Sequence, residues 1–364
     1  MIENVMEFEE KAIFELRSLY KKHGYLPYKM SKFEEYELYL KNKDFLISDR
    51  LITFNDTNGR LMALKPDVTL SIIKSGEDIK GVKQKVFYDE NVYRVSESTG
   101  RFKEILQTGL ECIGDIDLYD IYEVITLAAE SLACVSDSFC IEISNLDVVY
   151  SVVTDCCADA EFVREVTKCL SQKNTHDLKK ICESYSVDED GFAKISKLIS
   201  LYGKRTSVIE GLEELCGTEA LKEIKLLSEM LDKSLYSDKI RFDFSVINDM
   251  NYYNGFVFRG FIDGISCGVL AGGQYGNMMK KMKRSSEAIG FALYLDRLEE
   301  LDRETKSYCV DYLLIYDEGN DISEVYEKVN EIIDKGFSVS AQKAVPPKLK
   351  YREIIDIRRT ADNA

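Results

Sequence analysis

The amino-acid sequence predicts an α+β fold: an antiparallel sheet flanked by helices, with a helical insertion and a small C-terminal β-α-β unit. Strand-like runs follow one another within residues 51–114 and again within 240–273, whereas the helical patterns are set apart from them. Such segregation favours an antiparallel sheet, because a parallel doubly wound sheet would alternate strands and helices. The patterns GxGxxG and GxxxxGK[ST] are absent, which argues against the phosphate-binding loops that they mark.

Elements of the first half of the chain are predicted from the spacing of their apolar side chains. A helical spacing ends at Gly24, a common stop signal, and Asn58 with Gly59 provides a strong turn signal for a hairpin. Two alternating runs then predict a pair of antiparallel strands. In order, the predicted elements are a helix over 8–23, a hairpin over 51–64, two strands within 85–114, a helix over 119–135 and a strand over 139–144.

The second half begins with a charged, helical stretch, residues 150–238, which we predict to be an all-α insertion without strands. Strand-like runs then return, and the end of the chain alternates strand, helix and strand. We place a domain boundary after residue 303, so that 1–303 form the main domain and 304–364 the β-α-β unit with a basic tail. In order, the predicted elements are strands over 240–247, 252–262 and 265–273, a helix over 290–301 and a β-α-β unit over 309–343.

The composition predicts a cytoplasmic protein with neither a membrane span nor a metal site. The 48 basic and 64 acidic side chains give a net charge of −16, which disfavours tRNA and other polyanions. No apolar stretch reaches the roughly 18 residues of a membrane helix, and the acidic N-terminal segment lacks the basic region of a signal peptide. Ten cysteines without a CxxC pair, with only two histidines, indicate core thiols in a reducing compartment.

Polar side chains in four segments are unusual for the strands of a scaffold. Asp67 and Thr69 follow a strand and a proline, and Gln107 and Glu111 share one strand face at a period of two. Burial of unpaired carboxylates costs several kcal/mol, so this group predicts a pocket for a cationic ligand. Taken singly, each segment is equally compatible with ordinary surface strands. The segments are LKPDVT, GRFKEILQTGLE, NYYNG and AGGQYG.

In this order the segments resemble class II aminoacyl-tRNA synthetases, specifically the histidyl-tRNA synthetase branch. GRFKEILQTGLECIG is similar to the second class motif, AIGFALYLDRLEEL to the third, and LKPDVT and NYYNG to two histidine-binding signatures. The resemblance covers roughly residues 8–300. It implies an α-amino group held by Asp67, Thr69 and Gln107, and an imidazole ring near Glu111 and the paired tyrosines. The implied histidine-binding residues are Asp67, Thr69, Arg94, Gln107, Glu111, Tyr252 and Tyr253.

The same resemblance implies that the catalytic groups of a synthetase are incomplete, and we expect no catalytic residue. Asn248 stands where synthetases have an arginine beside the reacting carboxylate and α-phosphate, and Gln274 replaces a second arginine. Loss of groups that stabilise transition-state charge lowers rates by orders of magnitude. Ser96 also departs from the second motif. The implied remnants of the nucleotide site are Arg101, Gln274 and Arg297.

A histidine pocket with altered ATP groups and a short C-terminal region resembles the regulatory subunits of ATP phosphoribosyltransferase. The stretches KMSKFEEYELY and NKDFLISDRLITF extend this similarity. It implies a non-catalytic subunit without a cofactor, which pairs with the short-form catalytic subunit as a homodimer within a hetero-oligomer. It also implies feedback inhibition by histidine of the first step of histidine biosynthesis. An active histidyl-tRNA synthetase, which would exchange ATP and pyrophosphate, and a free-standing histidine-binding paralogue are the alternatives.

Overall fold

The computed structural model describes residues 6, 8–43, 51–76, 79–95, 99–217, 220–247, 252–298 and 308–358. The chain divides into two compact units, Met1–Leu298 and Glu299–Ala364. The predicted domain boundary at residue 303 lies outside the described residues, and so do Asn248 and Ser96.

The larger unit is built around β-strands whose sequence positions largely follow the predicted runs. In chain order these strands are β1 Leu26–Pro27, β2 Phe33–Glu35, β3 Thr53–Asn55, β4 Leu61–Leu64, β5 Gln84–Val95, β6 Phe102–Gly114, β7 Phe139–Asn145, β8 Tyr202–Gly203, β9 Ile240–Asp243, β10 Asn254–Ile262, β11 Leu270–Gln274 and β12 Glu287–Tyr294.

Among the described residues, nine of these strands form one sheet in the order β1-β5-β6-β12-β11-β10-β7-β9-β8. Neighbours are antiparallel except for β1 with β5 and β7 with β9, so the predicted antiparallel sheet is in fact mixed. A second sheet, β2-β4-β3, contains the predicted hairpin, and Gly59 takes the positive φ that its tight turn requires. The predicted α+β class is confirmed.

The larger unit also contains helices, several of which form the insertion. Asp117 and Asp120 form a capping box at the start of the helix predicted over 119–135, which fixes where this helix begins. The helices are α1 Phe8–Lys22, α2 Tyr36–Lys41, α3 Thr69–Ser75, α4 Leu118–Ala133, α5 Leu146–Cys156, α6 Ala160–Ser171, α7 Thr175–Ser184, α8 Glu189–Ser200, α9 Arg205–Glu213, α10 Lys222–Leu231 and α11 Gly276–Lys281.

The face of the sheet that α4 covers determines which strand residues can reach a ligand. A Cβ atom at Gly260 of β10 would lie 2.7 Å from Leu132 of α4, so Gly260 faces this helix. Side chains alternate across a strand, so Arg259 and Phe261 point to the opposite face. That opposite face carries the cavity described below.

Residues 150–238, predicted as an all-α insertion, contain helices α6 to α10 and most of α5. Side-chain caps from Asp159, Asn174 and Asp188 begin α6, α7 and α8. Strand β8 also lies here and pairs with β9, so the expectation of no strand in this stretch was wrong. Two residues are too few to give a sequence pattern, and β8 exists only through its pairing.

The prediction of a helix over 290–301 was also wrong for the first residues of this range. The chain forms strand β12 and then a short 3-10 turn, Leu295–Arg297. β12 lies between β6 and β11 and is buried over most of its length. An apolar run buried on both faces lacks the period of two, so sequence alone does not distinguish it from a buried helix.

The smaller unit contains the predicted β-α-β arrangement and one further strand. Its elements are β13 (Val310–Ile315), α12 (Ile322–Asp334), β14 (Val339–Gln342) and β15 (Tyr351–Asp356). The strand order is β14-β13-β15, and both pairs are parallel. The region predicted as a basic tail therefore contributes a strand to this sheet.

All ten cysteines are free thiols. Cys112, Cys169 and Cys182 are buried as predicted, whereas Cys267 and Cys309 are exposed and the core prediction was wrong for them. Over the described ranges, no helix is both long enough and apolar enough to cross a membrane. Within the same ranges, no three His, Cys, Asp or Glu side chains are placed to hold a metal ion.

Candidate functional site

A cavity of about 330 Å³ lies on the face of the large sheet opposite α4. Ala271 of β11 and Gly290 and Ala292 of β12 line it with small side chains, which leave room above the sheet for a ligand. The structure brings all of the predicted histidine-binding residues to this cavity: Asp67, Thr69, Arg94, Gln107, Glu111, Tyr252 and Tyr253.

Glu111 is the buried acid of the cavity, with only 2% of its surface exposed. The Thr69 hydroxyl donates to its Oε1 at 2.9 Å, and the Tyr275 hydroxyl donates to its Oε2 at 2.7 Å. Burial raises the pKa of Glu111 to about 8, against the opposing effect of these two hydrogen bonds. At neutral pH the ligand-free cavity therefore presents mainly a neutral carboxylic acid.

The position of Glu111 depends on a glycine in the neighbouring strand. Gly290 of β12 pairs directly with Glu111 of β6. A Cβ atom at Gly290 would lie 1.8 Å from Glu111 Oε2, so the carboxyl group occupies the space where any other residue would place its side chain. The glycine thus lets the acid lie flat across the sheet.

Tyrosines form an aromatic wall around this acid. The rings of Tyr252 and Tyr253 have centroids 4.4 Å apart, and Tyr252 is 6.0 Å from Tyr275. Burial raises the pKa of these three hydroxyls and of Tyr88 well above the ordinary value, so all four stay neutral. Neutral hydroxyls and a protonatable acid beside flat rings suit a planar ligand group that carries ring nitrogens.

Asp67 lies at the start of α3, where its Oδ1 accepts a hydrogen bond from Leu70 N at 3.0 Å. Burial raises the pKa of Asp67, and the charge of Arg94 opposes this effect. Arg94 Nε donates to Pro66 O at 2.9 Å, so this arginine braces the segment that carries Asp67. The carboxylate side chain lines the cavity and is available to an ammonium group.

Gln107 supplies a buried donor. Its side chain is 3% exposed, and Nε2 has no hydrogen-bond partner among the described residues. Buried polar groups are almost always paired in proteins, so an orphaned amide in a cavity indicates that a ligand completes its hydrogen bonding. The donor suits a ligand oxygen, whereas the resemblance to the histidyl branch implies that Gln107 holds the α-amino group.

The predicted remnants of a nucleotide site are not brought together. Arg297 lines the cavity, donates from Nη1 to Gly268 O, and lies 4.3 Å from the centroid of the Tyr294 ring. Gln274 lies outside the cavity lining, and exposed Arg101 also lies outside it.

Several lining residues were missed by the sequence analysis. The alternation in the run GFVFRGF would have identified Arg259 and Phe261 as sharing a face, and the hydroxyl of Tyr275 stands in a segment already singled out. Tyr88 lies in a strand that carries no distinguishing motif, and Tyr294 lies in the segment similar to the third class motif but was not expected to line the site. The missed residues of the lining include Tyr88, Arg259, Phe261, Tyr275 and Tyr294.

Gln274→Ala is expected to lower the free energy of unfolding by about 1 kcal/mol. Gln274 Oε1 accepts from Phe256 N at 2.8 Å where the register between β10 and β11 is irregular, so the variant leaves a strand amide without its acceptor. Affinity for histidine, the ligand that the resemblance implies, should change little. Urea unfolding and calorimetry measure the two effects, with exposed Arg101→Ala as a control. Loss of binding at unchanged stability would contradict a structural role for Gln274.

Glu111 should make the stability of the ligand-free protein depend on pH. Its folded-state pKa, about 8, lies above the ordinary value of 4.5, so the folded state binds the proton more tightly than the unfolded state. The resulting stabilisation is present in full below about pH 4.5 and is lost as the pH rises through about 8. Glu111→Gln, which does not titrate, should show a shallower decline in urea unfolding across this range. An identical decline in both proteins would contradict the raised pKa.

Comparison with known proteins places the chain in a family. Residues 3–298 match the family model of histidyl-tRNA synthetase. The ATP phosphoribosyltransferase regulatory subunit of Clostridium kluyveri is 26% identical, with 88% of this chain and 86% of the relative covered.

Two solved structures share the fold. One, an ATP phosphoribosyltransferase regulatory subunit/histidyl-tRNA synthetase from Bacillus halodurans, has a TM-score of 0.75 at 23% identity, over 97% of this chain and 94% of that one. The other, from an ATP phosphoribosyl transferase (HisG:HisZ) complex of Thermotoga maritima, has a TM-score of 0.61 at 19% identity, over 79% and 97%. Because the family model spans most of the sequence, this chain belongs to the histidyl-tRNA synthetase family.

Proposed function

We propose that this chain is the non-catalytic regulatory subunit of ATP phosphoribosyltransferase, and that its cavity binds histidine as a feedback effector. The observation that carries this proposal is the convergence of Asp67, Gln107 and Glu111 beside the tyrosine wall. The name of the regulatory-subunit relative supports it. The chain would then act in the cytoplasm, at the first step of histidine biosynthesis.

The chemistry of the cavity matches histidine group by group. The neutral Glu111 acid can share its proton with an imidazole nitrogen, and the hydroxyls of Thr69 and Tyr275 hold the acid in place for this contact. Asp67 offers a carboxylate to the α-ammonium group. The unpaired Gln107 amide offers a donor to the ligand carboxylate.

Regulation by such a subunit requires that histidine binding is coupled to the state of the complex, and it requires no chemical reaction in the cavity. Histidine that binds more tightly to one state of the complex shifts the equilibrium toward that state, with a coupling free energy of typically about 1–3 kcal/mol. The partner that we propose is the short-form catalytic subunit of ATP phosphoribosyltransferase. A role without adenylation also agrees with Gln274, whose side chain stabilises the β10–β11 irregularity instead of lining the cavity.

Calorimetric titration of the purified chain with histidine, with and without ATP, tests the proposal, followed by addition of the short catalytic subunit. We expect histidine to bind without ATP turnover and the catalytic subunit to form a stable complex whose activity histidine inhibits. Histidine-dependent ATP consumption without complex formation would instead establish an active histidyl-tRNA synthetase. That alternative is favoured by Arg297, which still lines the cavity. Histidine binding without a complex would favour a free-standing paralogue.

We also propose that the chain forms a homodimer within the hetero-oligomer. Phe33 and Phe54 of the small sheet are 47% and 39% exposed, and their rings pack edge to face at 5.6 Å. Leu61 in the same sheet is 46% exposed. Clustered exposed apolar side chains are typical of protein contact surfaces. Sedimentation of the Phe33→Ser, Phe54→Ser double variant should show monomers where the unmodified chain shows dimers, and an unchanged dimer would place the contact elsewhere.

A further inference from the structure

A buried ion pair lies beside the segment that carries Asp67. Lys65 stands two residues before Asp67, and its side chain is fully buried. The Nζ atom of Lys65 lies 2.5 Å from Oε2 of Glu90 in β5, and the glutamate side chain is 17% exposed. Removal of two charges from water is costly, so apolar side chains of similar volume often stabilise a protein as well as a buried ion pair does. The pair therefore points to a role other than stability.

Glu90 lies on the strand face that borders the cavity. Tyr88 and Arg94 of the same strand both line the cavity, and residues an even number apart along a strand share a face. In the register of β5 with β6, Glu90 pairs directly with Gln107, which also lines the cavity. Directly opposed residues of antiparallel strands have Cβ atoms about 5 Å apart. The ion pair thus joins the Asp67 segment to the strand position beside Gln107.

The backbone just before Asp67 is attached to the same end of β5. Tyr93 N donates to Lys65 O at 2.9 Å, and Arg94 Nε donates to Pro66 O at 2.9 Å. These two bonds hold consecutive carbonyl groups, and the ion pair adds a third attachment through a side chain. An apolar contact at this third point would be non-directional, whereas a charge-assisted hydrogen bond requires a narrow range of distances and angles.

We propose that Lys65 and Glu90 are positioning residues of the ligand cavity: their ion pair sets the place of the Asp67 carboxylate, and with it the affinity for the ammonium group of the ligand. This inference rests on the proposed histidine-binding function. Neither Lys65 nor Glu90 belongs to the described lining of the cavity, so the pair acts through Asp67. Loss of the pair should weaken the binding of ligands that carry an α-ammonium group and spare a ligand that lacks one.

A purely electrostatic role of the pair predicts a different pattern. Lys65→Met removes a positive charge, so by charge alone it would raise the affinity for an ammonium group. Glu90→Gln leaves the lysine charge uncompensated, so by charge alone it would lower this affinity. A positioning role predicts a loss of affinity in both variants, because either substitution breaks the same ion pair.

Calorimetric titrations of the full chain with histidine and with imidazolepropionate, which lacks the α-ammonium group, test the inference. We expect Lys65→Met and Glu90→Gln each to lower histidine affinity by about tenfold, and to change imidazolepropionate affinity by less than about twofold. In an Asp67→Asn background, Lys65→Met should cause no further loss of histidine affinity, because the carboxylate that the pair positions is already absent.

Lys85→Met is the matched control. Lys85 also belongs to β5, and its Nζ lies 2.5 Å from Glu123 Oε2, but this pair joins the strand to α4. The control should leave the affinity for both ligands unchanged. Where Lys65→Met fails to fold, the double variant Lys65→Met, Glu90→Gln carries the test, since it leaves no buried charge without a partner. The same loss, confined to histidine, is expected of it.

The outcomes separate this inference from the function on which it rests. If the unmodified chain does not bind histidine, the proposed function fails, and this inference with it. If histidine binds and the two single variants shift its affinity in opposite directions, or leave it unchanged, only the positioning role is overturned. Equal losses for both ligands, or a loss that adds in full to that of Asp67→Asn, would show that the pair supports the cavity as a whole and would likewise overturn the inference.

Discussion

Glu111→Ala is expected to lower the affinity for histidine by about 100-fold or more, and to abolish feedback inhibition. The variant removes the buried acid beside the tyrosine wall, and it leaves the hydroxyls of Thr69 and Tyr275 without their acceptor. Titration calorimetry measures the affinity, and assays of the complex measure the inhibition. Assembly with the catalytic subunit, followed by sedimentation, should be unchanged. Loss of assembly would instead assign Glu111 a structural role.

The same residue sets an expected pH profile for binding. Free imidazole has a pKa of about 6.5, and the pKa of Glu111 is about 8. Between about pH 6.5 and pH 8 the empty site holds one proton on Glu111, and the imidazole ring of free histidine is neutral. The complex also holds one proton, which Glu111 and the imidazole share. Binding in this range therefore neither takes up nor releases a proton. Above about pH 8 a proton must be taken up, and below about pH 6.5 one must be released, so affinity declines on both sides.

Titrations in buffers of different ionisation enthalpy measure these proton changes directly. Glu111→Gln has the shape of the native side chain but cannot titrate, so the part of the alkaline decline centred near pH 8 should disappear in this variant. An alkaline decline of the same size in the variant would show that another group is responsible, and would remove Glu111 from the proton count.

Gly290→Ala is expected to lower histidine affinity by about 100-fold and to reduce the free energy of unfolding by about 1–3 kcal/mol. The added Cβ would lie 1.8 Å from Glu111 Oε2 and 2.5 Å from Leu110 O. The side chain of Glu111 can rotate away, but the backbone oxygen of β6 can yield only by disturbing the strand pairing. One methyl group therefore displaces the acid and strains the sheet together.

Gly268→Ala is the matched control for this prediction. Gly268 also lines the cavity, but its nearest atom would lie 3.5 Å from an added Cβ, which is an ordinary contact. This variant should fold with unchanged stability in urea and should bind histidine within about threefold of the native affinity. Normal binding by Gly290→Ala would contradict the position that we assign to the Glu111 carboxyl.

Local sequence patterns were sufficient to predict many elements of the fold and several residues of the cavity. The alternation that places Gln107 and Glu111 on one face depends only on the period of a strand, and the structure brings both to the cavity. The capping residues and the hairpin turn are equally local. The resemblance to the histidyl branch then joined these residues with Asp67 and the paired tyrosines, which lie far apart in sequence, into one expected histidine site.

The sequence by itself thus determined the α+β class, most element positions and the acidic residues of the cavity, because each depends on contacts within a few residues. Only the tertiary structure decided that β12 is a strand, that Gly290 makes room for Glu111, and that Arg259 pairs with Ala271. The tertiary structure also placed the side chain of Gln274 against Phe256 N, at the irregular register between β10 and β11. These facts depend on the register between strands distant in sequence, and no local periodicity encodes which residue lies opposite which.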